Sequence, residues 1–341
     1  MKKINLVFLF TAVLPLMVYG QDVHFSFPEY SPLLLNPALA GANYAMEGNV
    51  NYRNQWSSLG EAYKTTAASF HARINSKNTR KTNHFALGLQ VMNDKAGLPG
   101  ITGNSVAISF ADHVMLSRES KVGVGLSVGY VQRAITDFNG QWASQYDGTS
   151  YNAGLASGEQ FTNPIYGFAD IAGGIVYTYQ HRNSTLAKRM DRFLSAGVSA
   201  SHVNRPGNSF LANGNDRLPV RYSAFVNGEI ALAETDFSVV PGIWYHRQGP
   251  FSQLLFGSSV KIILIPETRY TGFYRPLSLA IGLFGRLNDA AIVRLAVDYD
   301  HYSFGYAFDF NTSGLNDYTG GRGSQELFLR YSFTPSRSRR Q

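Results

Sequence analysis

The chain alternates. In VGVGLSVGYV, residues 122–131, Val122, Val124, Leu126, Val128 and Tyr130 share one parity, while Gly123, Gly125, Ser127 and Gly129 share the other. Successive side chains of a β-strand point to opposite faces, so one face of this segment is apolar and the other nearly bare. The same two-residue period, bounded by turn residues, recurs near 46–58, 62–75, 83–93, 102–115, 120–134, 168–180, 192–203, 218–232, 236–247, 252–264, 270–285, 290–299, 302–311 and 323–333. These fourteen candidate strands predict an all-β, up-and-down antiparallel barrel of the outer-membrane type, in which strand number is even and one end carries the longer loops. With the first strand running outward, the long connections 135–167, 204–217 and 311–322 fall on the outer side, and the short ones 116–119 and 233–235 on the inner side. The 181–191 connection is longer than that rule prefers.

The position of charge within a strand says what the apolar face meets. In AIVRLAVDYDHYSFGYAFDF, residues 291–310, Val293, Leu295, Val297 and Tyr299 share a parity opposite Arg294 and Asp298. A basic residue facing lipid at the bilayer midplane costs about 2–4 kcal/mol, so the charged face must be the lumen. Beyond a turn at Asp300 and His301, Tyr302, Phe304, Tyr306, Phe308 and Phe310 form an aromatic wall opposite Ser303, Gly305, Ala307 and Asp309. Trp56, Trp244 and Tyr245 are expected in the interfacial girdles. The closing strand, ELFLRYSF at 326–333, sets Leu327, Leu329, Tyr331 and Phe333 against Phe328, Arg330 and Ser332.

Composition narrows the setting. Lys2 and Lys3, an apolar run from Leu6 to Val18 and Gly20 before Gln21 read as a cleaved signal peptide over 1–20. Its removal lowers the net charge from +7 to +5. No later segment has the roughly 18 uncharged apolar residues of a membrane helix. With no cysteine in the chain, neither a disulfide framework nor a cysteine metal site is available. The remaining parts are an N-terminal segment, 21–45, a barrel over 46–333 and a basic tail, 334–341.

Catalytic signals are thin. The glycines at 123, 125 and 129 miss the G-x-G-x-x-G spacing and lie within a strand. The eight histidines show no metal-ligand spacing, and no sequence spacing identifies a catalytic triad. The pattern calls for no cofactor and no enzyme, and basic residues scattered over the turns of an exported chain do not suit nucleic acid.

NPALAG (36–41) followed by YRNQW (52–56) resembles the paired N-terminal signature of the PorP/SprF family of type IX secretion system membrane proteins. The resemblance rests on Asn36, Pro37, Gly41, Tyr52, Arg53, Gln55 and Trp56, and continues through 91–116, AIVRLAVDYD and GGRGSQELFLRYSF. Gln325 stands where histidine is expected, and Leu39 where an aromatic is commoner. The resemblance implies an outer-membrane barrel that works with periplasmic or lipoprotein components of the type IX apparatus and helps a client adhesin reach or remain on the cell surface.

The same residues carry a physical reading. Asn36 is a helix cap, Pro37 suits the first helical position and Gly41 the left-handed exit, so NPALAG reads as one capped turn. With Pro28 and Pro32 upstream, 21–45 is no regular spanning strand; it lies in the periplasm or folds back into the barrel, as a working part or as a plain linker. In the first strand Val50, Tyr52 and Trp56 face outward and Asn51, Arg53 and Gln55 inward. Arg53 is expected either to pair with Asp298 or Asp309, fixing a plug or narrowing a pore, or to be solvated by luminal water. Arg294, Asp298 and Asp309 are the other luminal charges. On the inner turns Lys77, Arg80, Lys81, Arg182, Lys188, Arg189 and Arg192 stand against one acid, Asp191, and Arg337, Arg339 and Arg340 follow in the tail. They mark either a face that docks an acidic periplasmic partner or a set of solvated turns. The long outer loop 135–167 has the composition of an adaptable contact surface. Two functions remain: a secretion component serving a protein client, or a passive porin or small-solute transporter.

Overall fold

A computed structural model describes residues 22–59, 62–74, 83–97, 100–135, 143–156, 164–181, 192–210, 216–233, 235–266 and 275–334. The strands are β1 Met46–Gln55, β2 Tyr63–Ile74, β3 His84–Ala96, β4 Ile101–Met115, β5 Ser120–Ile135, β6 Ile165–His181 and β7 Arg192–Ser201. They continue as β8 Arg221–Ala231, β9 Phe237–Gln248, β10 Phe251–Ile265, β11 Leu277–Arg286, β12 Ala290–Tyr299, β13 Tyr302–Asn311 and β14 Arg322–Phe333. Each pairs antiparallel with its sequence neighbours, and β1 also pairs with β14, through Val50 opposite Leu329 and Arg53 opposite Glu326, so the barrel is closed. Closure leaves no unpaired strand edge, the condition for a sheet to cross hydrocarbon. Among the described residues no helix is long and apolar enough to cross a membrane; the chain crosses by strands.

Parity works as the alternation requires. Val124, Leu126, Val128 and Tyr130 are 52–62% exposed, while Gly123, Gly125 and Ser127 between them are buried. Phe304 and Phe310 are exposed on β13, with Ser303, Gly305, Ala307 and Asp309 buried between and beside them. An apolar band repeated around every strand would be insoluble in water and is at home in acyl chains. One expectation fails here. Trp244 is 2% exposed and faces the interior, whereas Tyr245 beside it faces out. Consecutive strand residues cannot share a face, so only one of the pair could have joined a girdle. Trp56, half-buried, ends β1 in a left-handed conformation (φ 55°), with its ring edge-on to Tyr63. That conformation is why β1 stops at Gln55 rather than reaching 58. Similarly β11 begins at Leu277, not 270, and residues 267–274 lie outside the described residues.

One end of the barrel carries the connections 136–164, 202–220 and 312–321; the other has the turns at 116–119, 232–236 and 300–301. By the loop-length asymmetry of outer-membrane barrels, the first end faces the exterior and the second the periplasm.

Candidate functional site: the occupied lumen

The inward face is not uniformly polar. Val176, Phe225, Trp244, Leu255, Phe284, Ile292 and Phe328 are buried there, and a water-filled lumen would leave them solvated. Residues 22–45 cover them. Phe27, Leu35, Ala38, Leu39 and Ala42 from this segment pack into one core with those wall residues, and Leu33 and Ala40 into a second with Ala86 and Ala111. The segment enters at the loop end, where Asp22 meets His202 and Gln248, and runs through the lumen to the turn end, where the chain reverses into β1.

Prolines at 28, 32 and 37 keep it compact, each opening a short helical turn: Pro28–Tyr30, Pro32–Leu35 and Pro37–Leu39. Asn36, fully buried, caps the third turn by accepting from the Ala38 N–H (2.9 Å) and donates to the Ile175 and Val198 carbonyls of the wall (both 3.0 Å). Gly41 follows at φ 66°, the left-handed exit that glycine adopts without strain. The bare face of β5 now has its reason. A Cβ on Gly125 would stand 2.3 Å from the Ala38 nitrogen, and one on Gly174 of β6 2.2 Å from Asn36 Oδ1. The wall is thinned where the segment's backbone presses against it.

At the turn end the wall grips the segment's backbone. His113 meets the Ala40 carbonyl (2.7 Å), Arg73 Nε (2.7 Å) and His84 (3.1 Å) meet the Gly41 carbonyl, and Arg73 Nη2 (3.1 Å) and Lys121 donate to the Ala42 carbonyl. Gly41 N–H donates to His71 Nδ1, whose Nε2 lies 3.2 Å from Glu47. These contacts satisfy carbonyls that the end of a short helix leaves without partners.

Near the loop end the contacts are ionic. Asp309 lies 3.3 Å from Arg53 and 2.9 Å from Arg286, and accepts from the Ser26 and Ser324 hydroxyls (both 2.7 Å). Glu326 accepts from the Ser26 and Phe27 backbone N–H groups and lies 3.6 Å from Arg53. All four ionic side chains are at most 4% exposed, so they are stable only as a set. Arg294 reaches Glu29 (3.0 Å) and sits against the rings of Phe27, Trp244 and Phe284. At the mouth His202 lies between Asp22 (2.5 Å) and Asp170 (2.8 Å). Burial opposes its charge, but the Asp22 carboxylate and the hydrogen bond to Asp170 outweigh burial and lift its pKa to about 9. For Asp22, burial raises the pKa, yet His202, then Arg221 and Arg133, hold it well below the usual carboxylate range.

The profile of the family described as "Type IX secretion system membrane protein PorP/SprF" matches residues 17–331. The chain belongs to the PorP/SprF family. It is therefore an outer-membrane component of a bacterial type IX secretion system. No curated protein matches the chain. Among solved structures, the Ralstonia pickettii toluene transporter TbuX is similar at 8% identity and TM-score 0.43, over 88% of this chain and 93% of that one. The CymD monoaromatic hydrocarbon channel is similar at 12% identity and TM-score 0.44, over 90% and 93%. A Pseudomonas aeruginosa FadL homologue is similar at 10% identity and TM-score 0.44, over 87% and 93%.

The residues that carried the PorP/SprF resemblance divide between two places. Asn36, Pro37 and Gly41 lie in the lumen and Arg53 in its ionic cluster; Gln55 is half-buried, and Tyr52 faces lipid. Of the two carboxylates proposed for Arg53, it meets Asp309. Asp298 instead contacts Lys261 (3.1 Å), Arg330 (3.6 Å) and the hydroxyls of Ser278 and Ser303. Arg53 is 2% exposed and faces Asp309 and Glu326 rather than an open lumen. Leu39 is buried in the core, and Gln325 sits on the outer parity of β14. Tyr331 and Phe333 end β14 beside His301. Arg192 opens β7 and is exposed; Lys77, Arg80, Lys81, Arg182, Lys188, Arg189, the tail arginines and the signal segment lie outside the described residues. Sequence reading did not find Asp22, Glu29, His202 or Arg286. Glu326 shares the parity of Phe328 and Arg330, and was findable by that rule.

Proposed function

We propose that this barrel serves type IX secretion as a closed, non-enzymatic scaffold that helps present or retain a client adhesin at the cell surface. The observation that carries this reading is the lumen: residues 22–45 run its length and share a hydrophobic core with its wall. Packing of the described residues 22–45 against the wall narrows the lumen for a solute, which counts against the passive porin. The apparatus is then served from the barrel's two ends. The loop end, with the 136–164 and 202–220 connections, is the surface we assign to the client. The turn end, with Arg192 and the basic turns at 76–83 and 181–192, is the surface we assign to an acidic periplasmic or lipoprotein component.

Deleting the gene and inventorying surface and medium proteins tests the client role. Loss or release of one large adhesin with unchanged general permeability is expected. An unchanged protein inventory with altered solute uptake would instead favour the transporter. Reversing the charges of Arg189 and Arg192 tests the docking face: recovery of the complex in low salt should fall, and unchanged recovery removes that assignment.

A further inference from the structure

The two halves of the luminal segment are held by different chemistry. From Asn36 to Ala42 the wall grips backbone atoms through the His113, His84, Arg73 and Lys121 contacts, and Gly125 and Gly174 admit nothing larger than what is there. This half continues covalently into β1 at Met46. From Asp22 to Tyr30 the wall holds the Asp22, Val23, Ser26 and Phe27 backbone through Gln248, Arg221 and Glu326, and adds aromatic and ionic contacts to side chains. Phe27 lies edge-on to Phe328 (4.7 Å) and Tyr30 stacks on the same ring (3.6 Å). Arg294 and Arg330 stand over Phe27 (4.9 Å) and Tyr30 (4.8 Å). The carboxylates of Asp22 and Glu29, near the two ends, meet His202 and Arg294. Recognition of this kind, aromatic anchors three residues apart with a carboxylate toward each end, is how grooves read short peptides.

The wall also has more donors than this stretch uses. Arg294 Nε and Nη2, Arg53 Nε and Arg286 Nε are buried with no hydrogen-bond partner. Buried guanidinium groups short of acceptors favour a ligand that brings carboxylates. The mouth beside Asp22 is the loop end, which is also where a surface protein would approach.

We infer that the outer half of the lumen is a peptide-binding site open to the exterior, occupied by Asp22–Tyr30 as a resident and exchangeable ligand. Its ligand class is a short acidic and aromatic peptide, with rings three residues apart and a carboxylate toward each end. The inference rests on the closed-lumen reading but not on the secretion role. Exchange means that an external peptide takes the aromatic and ionic contacts while residues 22–30 withdraw through the mouth and residues 36–45 stay in place.

The full chain, purified in detergent, tests this, because a cysteine-free protein accepts a single reporter. Val23→Cys reports release of the resident stretch through its rate of reaction with a maleimide. Tyr318→Cys, at an exposed position of the 312–321 connection, reports an intact barrel through a constant rate. A tethered segment competes at an effective concentration of about mM, so the probe is the synthetic peptide DVHFSFPEY at several times about 1 mM. Labelling at position 23 is expected to rise several-fold with this peptide, and more when His202→Gln loosens the mouth. DVHSSSPEY, which lacks both phenylalanines, should leave the rate unchanged. If DVHFSFPEY changes the rate in neither background while Tyr318→Cys labels normally, the exchangeable site is overturned. That result would leave the closed barrel and its secretion role untouched, since conductance and the surface-protein inventory measure those separately.

Discussion

Arg53 shows what a single residue contributes to this fold. Its guanidinium is buried between Asp309 and Glu326, and its removal leaves two carboxylates near one another with Arg286 as the remaining close cation. Breaking a buried ionic set by deleting one member costs about 3–5 kcal/mol. Arg53→Ala is therefore expected to lower the temperature at which the barrel loses its folded gel mobility, and Arg53→Lys to lower it less. An unchanged melting temperature in Arg53→Ala would mean that the cluster is not a structural tie. His202 acts at the same scale with a definite pH sign. Its folded pKa is raised from 6.5 to about 9, so its stabilisation is fully present below 6.5 and is lost as pH rises through about 9. The matching depression of Asp22 is lost only in acid, below its ordinary 3.8. At about 1.4 kcal/mol per pKa unit, the raised His202 pKa is worth at most about 3 kcal/mol. The difference in melting temperature between the native chain and His202→Gln should be largest near pH 5–6 and should shrink toward pH 9. A difference independent of pH would show that His202 does not hold its charge between Asp22 and Asp170.

At the scale of the element, the strands were legible and the luminal segment was not. Alternation exposes the strands because lipid and lumen impose opposite demands on neighbouring residues, so VGVGLSVGYV and YSFGYAFDF reveal both faces directly. Strand ends were less legible: a left-handed Trp56 stops β1, and nothing in the local pattern announces it. The girdle reading failed at Trp244, where two adjacent aromatics of opposite parity were assigned to one surface. The luminal segment has no period, and its partners lie far away in sequence, as Ser26 with Asp309 and Asn36 with Val198. Its prolines and the NPALAG cap showed that it is not a strand and left open whether it lies in the periplasm or folds back into the barrel. The glycines of β5 and β6 hold the missing information, since a bare inward face needs something to fill it. Gly125→Ala puts a methyl group against the Ala38 backbone, an overpacking worth about 1–3 kcal/mol. The variant should melt lower and show channel openings in a bilayer, whereas Gly103→Ala, with open space around its Cβ position, should do neither. Equal behaviour of the two would separate the β5 glycines from the seating of the segment.

For the whole molecule, membership of the PorP/SprF family places the barrel in type IX secretion, and the filled lumen is the observation behind the proposed scaffold role. An outer-membrane pore keeps its interior wet and polar; this barrel turns Trp244, Phe284 and Phe328 inward and covers them with its own chain. The barrel is thus a closed sheet filled by its own chain, with two ends that face different compartments. Single-channel recording of the purified full chain in a planar bilayer tests this most directly. The account predicts a barrel that inserts and stays closed at low voltage; a steady, large conductance from the native chain would contradict it.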